Sequence, residues 1–130
     1  MILITVVAAL IIKNNKILIA KRLTGDETLI GKWEFPGGKV KNGEDESIAI
    51  EREIKEEFEL EIKSKKFITN NIYKYPTKTI DLRLYECLYI SGEFKLHDHS
   101  EYKFVEKDEL ENYDLCPADE PFINIVKELY

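Results

Sequence analysis

Glu53, Glu56 and Glu57 stand three and four residues apart in a stretch that holds neither Gly nor Pro. Projected on a helical wheel they share an arc of roughly 100°, with the small Ala49 one turn back between them. Three carboxylates held this close repel one another by about a few tenths of a kcal/mol per pair. A divalent cation reverses the sign of that repulsion. A hard ion such as Mg2+ takes oxygen ligands, usually one or two carboxylates together with waters and substrate phosphates. A purely solvated acidic face is the alternative reading, and is the usual fate of a charge run. The residues just upstream, Pro36-Gly37-Gly38-Lys39, tilt the balance toward chemistry. Paired glycines let backbone approach a ligand closely, and Lys39 adds a cation where a phosphate could lie. A glycine loop, a lysine and an acidic helix in this order suit a phosphate and a metal together.

These groups need elements to hold them. Residues 45–60 read as a helix, with Glu44 or Asp45 as its cap and Ile50, Ile54 and Phe58 forming its apolar stripe. Residues 1–12 are apolar except for Thr5 and rich in β-branched side chains, and Lys13-Asn14-Asn15-Lys16 separates them from Ile17-Leu18-Ile19-Ala20. That pattern predicts two strands joined by a tight turn. Proline followed by two glycines predicts a loop with unusual backbone angles over residues 33–39. Residues 61–75 and 79–90 predict long paired strands joined at Pro76-Thr77-Lys78. A short strand over 102–105, a helical turn over 107–112 and a last helix over 119–129 complete the chain. Strands interleaved with a few helices point to an α/β or α+β sandwich, with a mixed β-sheet and the acidic helix against it, in one domain over residues 1–130.

The spacing can be set beside a known pattern. Gly38, five residues, Glu44, seven residues, then Arg52-Glu53-Ile54-Lys55-Glu56-Glu57-Phe58-Glu59-Leu60 resembles the Nudix box, Gx5Ex7REUxEExGU with U aliphatic. Every specified position matches except Glu59, which stands where the family usually has glycine. A side chain there either strains a left-handed cap or extends the helix by a turn. Trp33-Glu34-Phe35-Pro36-Gly37-Gly38-Lys39 resembles the lead-in of the MutT-like branch, and Cys116-Pro117-Ala118-Asp119-Glu120-Pro121 resembles a later segment of the same branch.

The resemblance implies an α/β/α sandwich and a nucleoside triphosphate pyrophosphohydrolase dependent on Mg2+ or Mn2+, acting on canonical, oxidised or otherwise modified bases such as those of CTP or 8-oxo-dGTP. It implies that Glu56 and Glu57 bind the ion, with the Gly37 carbonyl as a further ligand. Glu53 would bind metal or act as general base. Glu44 would lie beside the metal, with Arg52 holding Glu44 or Glu53 by a charge-assisted hydrogen bond. Lys39 and Arg22 would face phosphates. The family often supplies one more acid from outside the box. Asp98 and Glu101 are the candidates, and Glu101 fits the position before the aromatic strand slightly better. His97 and His99 read as surface loop residues. Asp119 has two readings, a cap for the last helix or a reader of the base. An ionised Asp119 only accepts hydrogen bonds, favouring cytosine or adenine, whereas a protonated one also donates and keeps oxidised guanine open. Phe35, Tyr75 and Ile80 either line the base pocket or belong to the core.

Composition bounds the partners. The chain has 130 residues and a net charge of -6, yet residues 44–61 alone carry nine acids and two bases, so the rest is close to neutral. There is no basic surplus for nucleic acid. The apolar start lacks the flanks of a signal peptide and is too short to span a bilayer as a helix. Two cysteines 29 residues apart read as reduced thiols, which suits a cytoplasmic protein. The expected partner is a small-molecule triphosphate, with the chain a monomer or homodimer. Two other readings stay open: hydrolysis of a different nucleoside diphosphate derivative, and a catalytically silent nucleotide-binding module.

Overall fold

The computed structural model describes residues 2–130. The first strand, β1 (Leu3–Lys13), returns as β2 (Lys16–Arg22) through Asn14 and Asn15, both at positive φ, 53° and 63°. Asparagine tolerates that region, and two successive positive φ angles match the right-handed twist of the paired strands. β3 (Trp33–Glu34) and β4 (Gly37–Lys39) are short, whereas β5 (Glu61–Tyr75) and β6 (Lys78–Ser91) form a long hairpin, and β7 (His99–Val105) follows. They make one seven-stranded sheet in the order β3-β2-β1-β6-β5, with β4 also on β1 and β7 also on β2. β1 and β6 run parallel and the other pairs are antiparallel, the expected mixed sheet.

The continuous apolar run in β1 has a physical cause: the strand is covered on both faces. Val7, Ala9 and Ile11 point to one core with α1 (Glu46–Phe58), while Ala8 and Leu10 point to a second core with α2 (Phe122–Leu129). In α1, Ala49, Ile50, Ile54 and Phe58 are all buried, as the helical stripe requires. Full burial of Ile50, Ile54 and Phe58 is worth about 1.5–3 kcal/mol each. That outweighs the few tenths of a kcal/mol that each acidic pair on the helix opposes.

The helix ends depart from expectation. α1 covers Glu46–Phe58, shorter than 45–60; Asp45 has the extended backbone of a cap, but its side chain makes no capping bond. Glu44 is engaged elsewhere, taking the Lys41 N–H at 3.0 Å. Glu59 resolves its two readings in favour of the left-handed cap, φ 58°, with its N–H donating to Lys55 O. Its carboxylate meets His97 Nε2 at 2.7 Å, and the Lys95 N–H donates to Phe58 O, so the chain leading into β7 is tied to the end of α1. α2 begins at Phe122 after a series of turns, three residues later than expected, which removes Asp119 from the cap position.

The Gly37-Gly38 segment is also corrected. It is not a loop of unusual angles but strand β4, paired with β1 as Val6↔Lys39, Val7↔Gly38 and Ala8↔Gly37, and neither glycine has a left-handed φ. Glycine is required by proximity. A Cβ on Gly37 would stand 1.8 Å from Val7 O, and one on Gly38 would stand 2.2 Å from Glu53 Oε2. Among the described residues no helix is long and apolar enough to cross a membrane. Since the obstacle at Gly37 is backbone, Gly37→Ala should lower stability by about 2 kcal/mol or more, read as a shifted urea midpoint. An unchanged midpoint would refute the close-packing account.

Candidate active site

The ends of β1, β2, β3 and β4 and the flank of α1 surround a cavity of about 320 Å³. Its polar wall carries Arg22, Glu34, Lys39, Glu57 and Asp98, beside the backbone of Gly37 and Gly38. Its apolar wall comes from the α2-side core, with Phe35, Tyr75, Ile80, Leu82 and Cys116, and Asp119 standing among them. An apolar wall facing a few convergent charges is the usual make-up of a small-molecule site.

Glu57 is the centre of the polar wall. Burial pushes its carboxyl up to about 9, and the nearby acids Glu34, Glu53 and Asp98 add to the shift against the opposing pull of Arg22. Its Oε2 is buried with no hydrogen-bond partner. The Glu53 carboxylate lies directly behind Gly38, where a side chain would have to displace it. Arg52 gathers the remaining acids: Nε and Nη2 grip Glu44 at 2.8 and 2.9 Å, and Nη1 donates to Glu53 and Glu56, each at 2.9 Å. Nη2 also reaches the Lys39 carbonyl at 3.1 Å. This pairing holds Glu44 down to about 2. With Glu53 and Glu56 turned toward Arg52, no three acidic, histidine or cysteine side chains among the described residues already converge as a ligand set. The chemistry of the donors nevertheless fits a hard divalent ion: all are oxygens, three sit on successive turns of α1, and one holds a buried acceptor with nothing to accept.

Of the residues expected from sequence, Gly37, Lys39, Arg22, Glu57, Phe35, Tyr75, Ile80 and Asp119 line the cavity, and Glu53 backs onto it. Glu44, Arg52 and the half-exposed Glu56 stand beside it as one ion-paired group. Glu101 is not at the site. It lies on β7 opposite Lys21, paired with Lys103 at 3.8 Å, and Asp98 is the acid that reaches the cavity. Asp119 takes the Phe35 N–H at 3.0 Å rather than capping α2. Burial, and then the charge of Glu34, raise its carboxyl well above the usual range. The sequence reading missed Glu34 and misplaced His99. His99 is buried, with Nε2 at 2.8 Å from Glu34 Oε2 and its ring stacked on Phe58. Glu34 follows Trp33 in a two-residue strand, so alternation alone would have turned it away from the tryptophan's core. No sequence signal marks His99, because an irregular pairing of β7 sets its direction.

Three buried side-chain atoms lack a partner among the described residues: Arg22 Nε, Glu57 Oε2 and His99 Nδ1. All three belong to residues lining this cavity. Unpaired buried polar atoms are rare in folded chains, and their concentration here marks a place prepared for a polar ligand.

Comparison with known proteins agrees with this geometry. A family model described as NUDIX domain matches residues 7–124. The CTP pyrophosphohydrolase of Escherichia coli K12 is 32% identical over 121 residues, covering 93% of this chain and 89% of that protein. An 8-oxo-dGTP diphosphatase of Haemophilus influenzae is 32% identical over 120 residues, covering 91% and 88%. The solution structure of the E. coli ORF135 protein superposes with a TM-score of 0.87 at 31% identity, covering 98% of this chain and 90% of that one.

Glu57 yields a pH test. In the folded metal-free chain it keeps its proton up to about pH 9, against an ordinary value of 4.5. Between those values the folded state binds more protons than the unfolded state, so this group's contribution to stability falls as pH rises. The melting temperature of metal-free protein should therefore decline across that window, and Glu57→Gln should flatten the decline. Equal slopes for the two proteins would refute the burial of an unpaired carboxyl.

Proposed function

The chain belongs to the NUDIX family, and on that premise we propose that it is a Mg2+-dependent, MutT-like nucleoside triphosphate pyrophosphohydrolase of the cytoplasm. The products are a nucleoside monophosphate and pyrophosphate. The observation that carries this reading is the buried Glu57 carboxyl, without a partner and ringed by Glu34, Glu53 and Asp98, in the same cavity as Arg22 and Lys39. Clustered acids alone would repel a polyanion, and clustered bases alone would have no means of activating water. Together they match a metal-bound polyphosphate.

Glu57 and Glu56 are the metal-holding residues in this reading, with the Gly37 carbonyl beside them. When bound, the ion neutralises phosphate charge and lowers the pKa of a bound water. Mn2+ would meet the same oxygen donors. Glu53 or Asp98 takes the proton as water attacks phosphorus. Arg52 holds Glu53 and Glu56 against mutual repulsion through hydrogen bonds to both, and Glu44 fixes Arg52 through two bonds. Lys39 and Arg22 bind phosphate oxygens. Phe35, Tyr75 and Ile80 line the side that takes the base.

Asp119 is the base reader in this proposal. Burial favours the protonated form, in which the hydroxyl donates and the oxygen that takes the Phe35 N–H keeps a lone pair to accept. That pair matches the amino group and ring nitrogen of cytosine or adenine, and also the N–H and carbonyl that 8-oxidation creates on guanine. It mismatches the N7–O6 edge of ordinary guanine, where both atoms accept. The bases in the names of the two relatives fall within this set. A neutral Asp119 removes the preference for cytosine or adenine over oxidised guanine that an ionised one would impose.

Incubation with Mg2+ and a panel of ordinary, oxidised and methylated triphosphates should release monophosphate and pyrophosphate. Orthophosphate as the product, or no turnover on any triphosphate, would sink the reading. Glu53→Gln and Glu57→Gln should each lower the rate by about a hundredfold or more, and an unaffected Glu57→Gln would remove its metal role. Asp119→Asn, which keeps a donor and an acceptor at all pH values, should preserve turnover. It should also lose the alkaline decline in kcat/KM that ionisation of Asp119 produces, as a pH profile would report. An unchanged alkaline limb would rule out Asp119 as the reader.

A further inference from the structure

Arg22, Glu34 and His99 sit on three neighbouring strands and form a single chain of contacts. Glu34 uses both carboxylate oxygens, Oε1 on Arg22 Nη1 and Oε2 on His99 Nε2, each at 2.8 Å. A carboxylate only accepts, so His99 carries its proton on Nε2. The imidazole is immobilised in turn, buried and stacked on Phe58 with ring centroids 5.0 Å apart. Phe58 is fully buried at the end of α1. The contacts therefore run from the rigid core under α1, through an imidazole and a carboxylate, to a guanidinium at the cavity wall.

A break in strand pairing makes this possible. On β7, Val105 belongs to the α2-side core and Phe104 packs against the α1-side core. Regular alternation would carry His99 to the same side as Val105. The register shifts, however: Lys21 faces Glu101 and Arg22 faces His99, leaving Ser100 as the extra residue. A bulge of this kind reverses the side on which the next residue points. His99 thus joins Arg22, Ala20 and Glu34 on the α1 face, with Ala20 opposite Glu34 on the other side of β2. Glu101, still in regular register opposite Lys21, keeps the side of Val105 and lies outside the cavity.

We propose that His99 is a positioning residue for substrate, holding Arg22 through Glu34 in the orientation that receives a phosphate oxygen. This rests on the reading of the cavity as a triphosphate site. Arg22 spends Nη1 on Glu34 and reaches Thr24 O with Nη2 at 3.5 Å, which leaves its buried Nε–H without a partner beside the cavity. Nη2, held only by that long contact on a partly exposed side chain, is the donor offered to the ligand. A free arginine at the end of a strand samples many rotamers, and one gripped by a fixed carboxylate does not.

The test is the affinity of Mg2+ and inorganic triphosphate for the full chain, measured by calorimetry, alongside KM and kcat on a turned-over nucleotide. His99→Ala should weaken triphosphate binding by about tenfold and raise KM more than it lowers kcat. His99→Gln, which keeps an N–H near the Nε2 position, should restore affinity to within about threefold of the original chain. The double variant His99→Ala with Arg22→Ala should bind no more weakly than Arg22→Ala alone, because both remove the same contact. Glu34→Ala removes both acceptor oxygens and breaks the chain of bonds from its middle. It should show the same loss and the same non-additivity, which keeps the test decisive if His99→Ala does not fold. Losses that multiply in the double variants, or a His99→Gln as weak as His99→Ala, would overturn the proposal while leaving the triphosphate reading intact. Failure of the unaltered chain to bind inorganic triphosphate would overturn both.

Discussion

The approach of β4 to β1 leaves no space at Gly37 for a single methyl group. Val7 O lies on one side of the glycine pair and the Glu53 carboxylate on the other, and both positions would be filled by a Cβ. Because the helix can settle this deeply, its acidic flank reaches the cavity wall, and its apolar stripe of Ile50, Ile54 and Phe58 closes over Val7, Ala9 and Ile11. Packing and chemistry here depend on the same contact. A side chain at Gly37 would push β4 off β1, and one at Gly38 would displace the Glu53 carboxylate.

Settling the helix there concentrates negative charge at a buried point, and the fold handles that charge in two ways. Arg52 neutralises the outer members, binding Glu44, Glu53 and Glu56 together. Glu57 lies beyond its reach, and its burial among other acids favours the protonated form. Hydrophobic burial of the helix supplies the energy that tolerates this. A divalent ion would replace the proton on Glu57 and turn an unfavourable group into a ligand, so metal affinity and proton affinity compete at that carboxyl.

The cavity joins two environments because β1 is covered on both faces. Residues facing α1 carry the charged half, and residues of the α2-side core, with Asp119, carry the half suited to a flat base. Asp119 and Glu57 are both carboxyls kept protonated mainly by burial. Their partners separate their roles. Asp119 has the Phe35 N–H fixing one oxygen, whereas Glu57 keeps an unpartnered oxygen near Glu34, Glu53 and Asp98.

Much of this was legible in the residues. The acidic helix and its apolar stripe follow from period 3.6, the hairpins from alternation and turn residues, and the shared arc of Glu53, Glu56 and Glu57 from their spacing. These are local properties, set by backbone geometry within one element. Elements further apart decided the rest. Gly37 and Gly38 read as a loop because sequence shows their freedom, while their need for proximity arises only when β1 and α1 close around them. Asp119 resembles a helix cap locally, but its oxygen is claimed by Phe35, 84 positions away in the chain. Glu101 keeps the side of Val105 while His99 turns to the α1 face, because one extra residue between them reverses the alternation in β7. The sequence by itself determined the elements and the kinds of chemical groups they carry. Which of those groups meet, and which keep a proton or a free hydrogen bond, was decided by tertiary structure, since register, burial and charge proximity are properties of pairs of elements that no single stretch of chain contains.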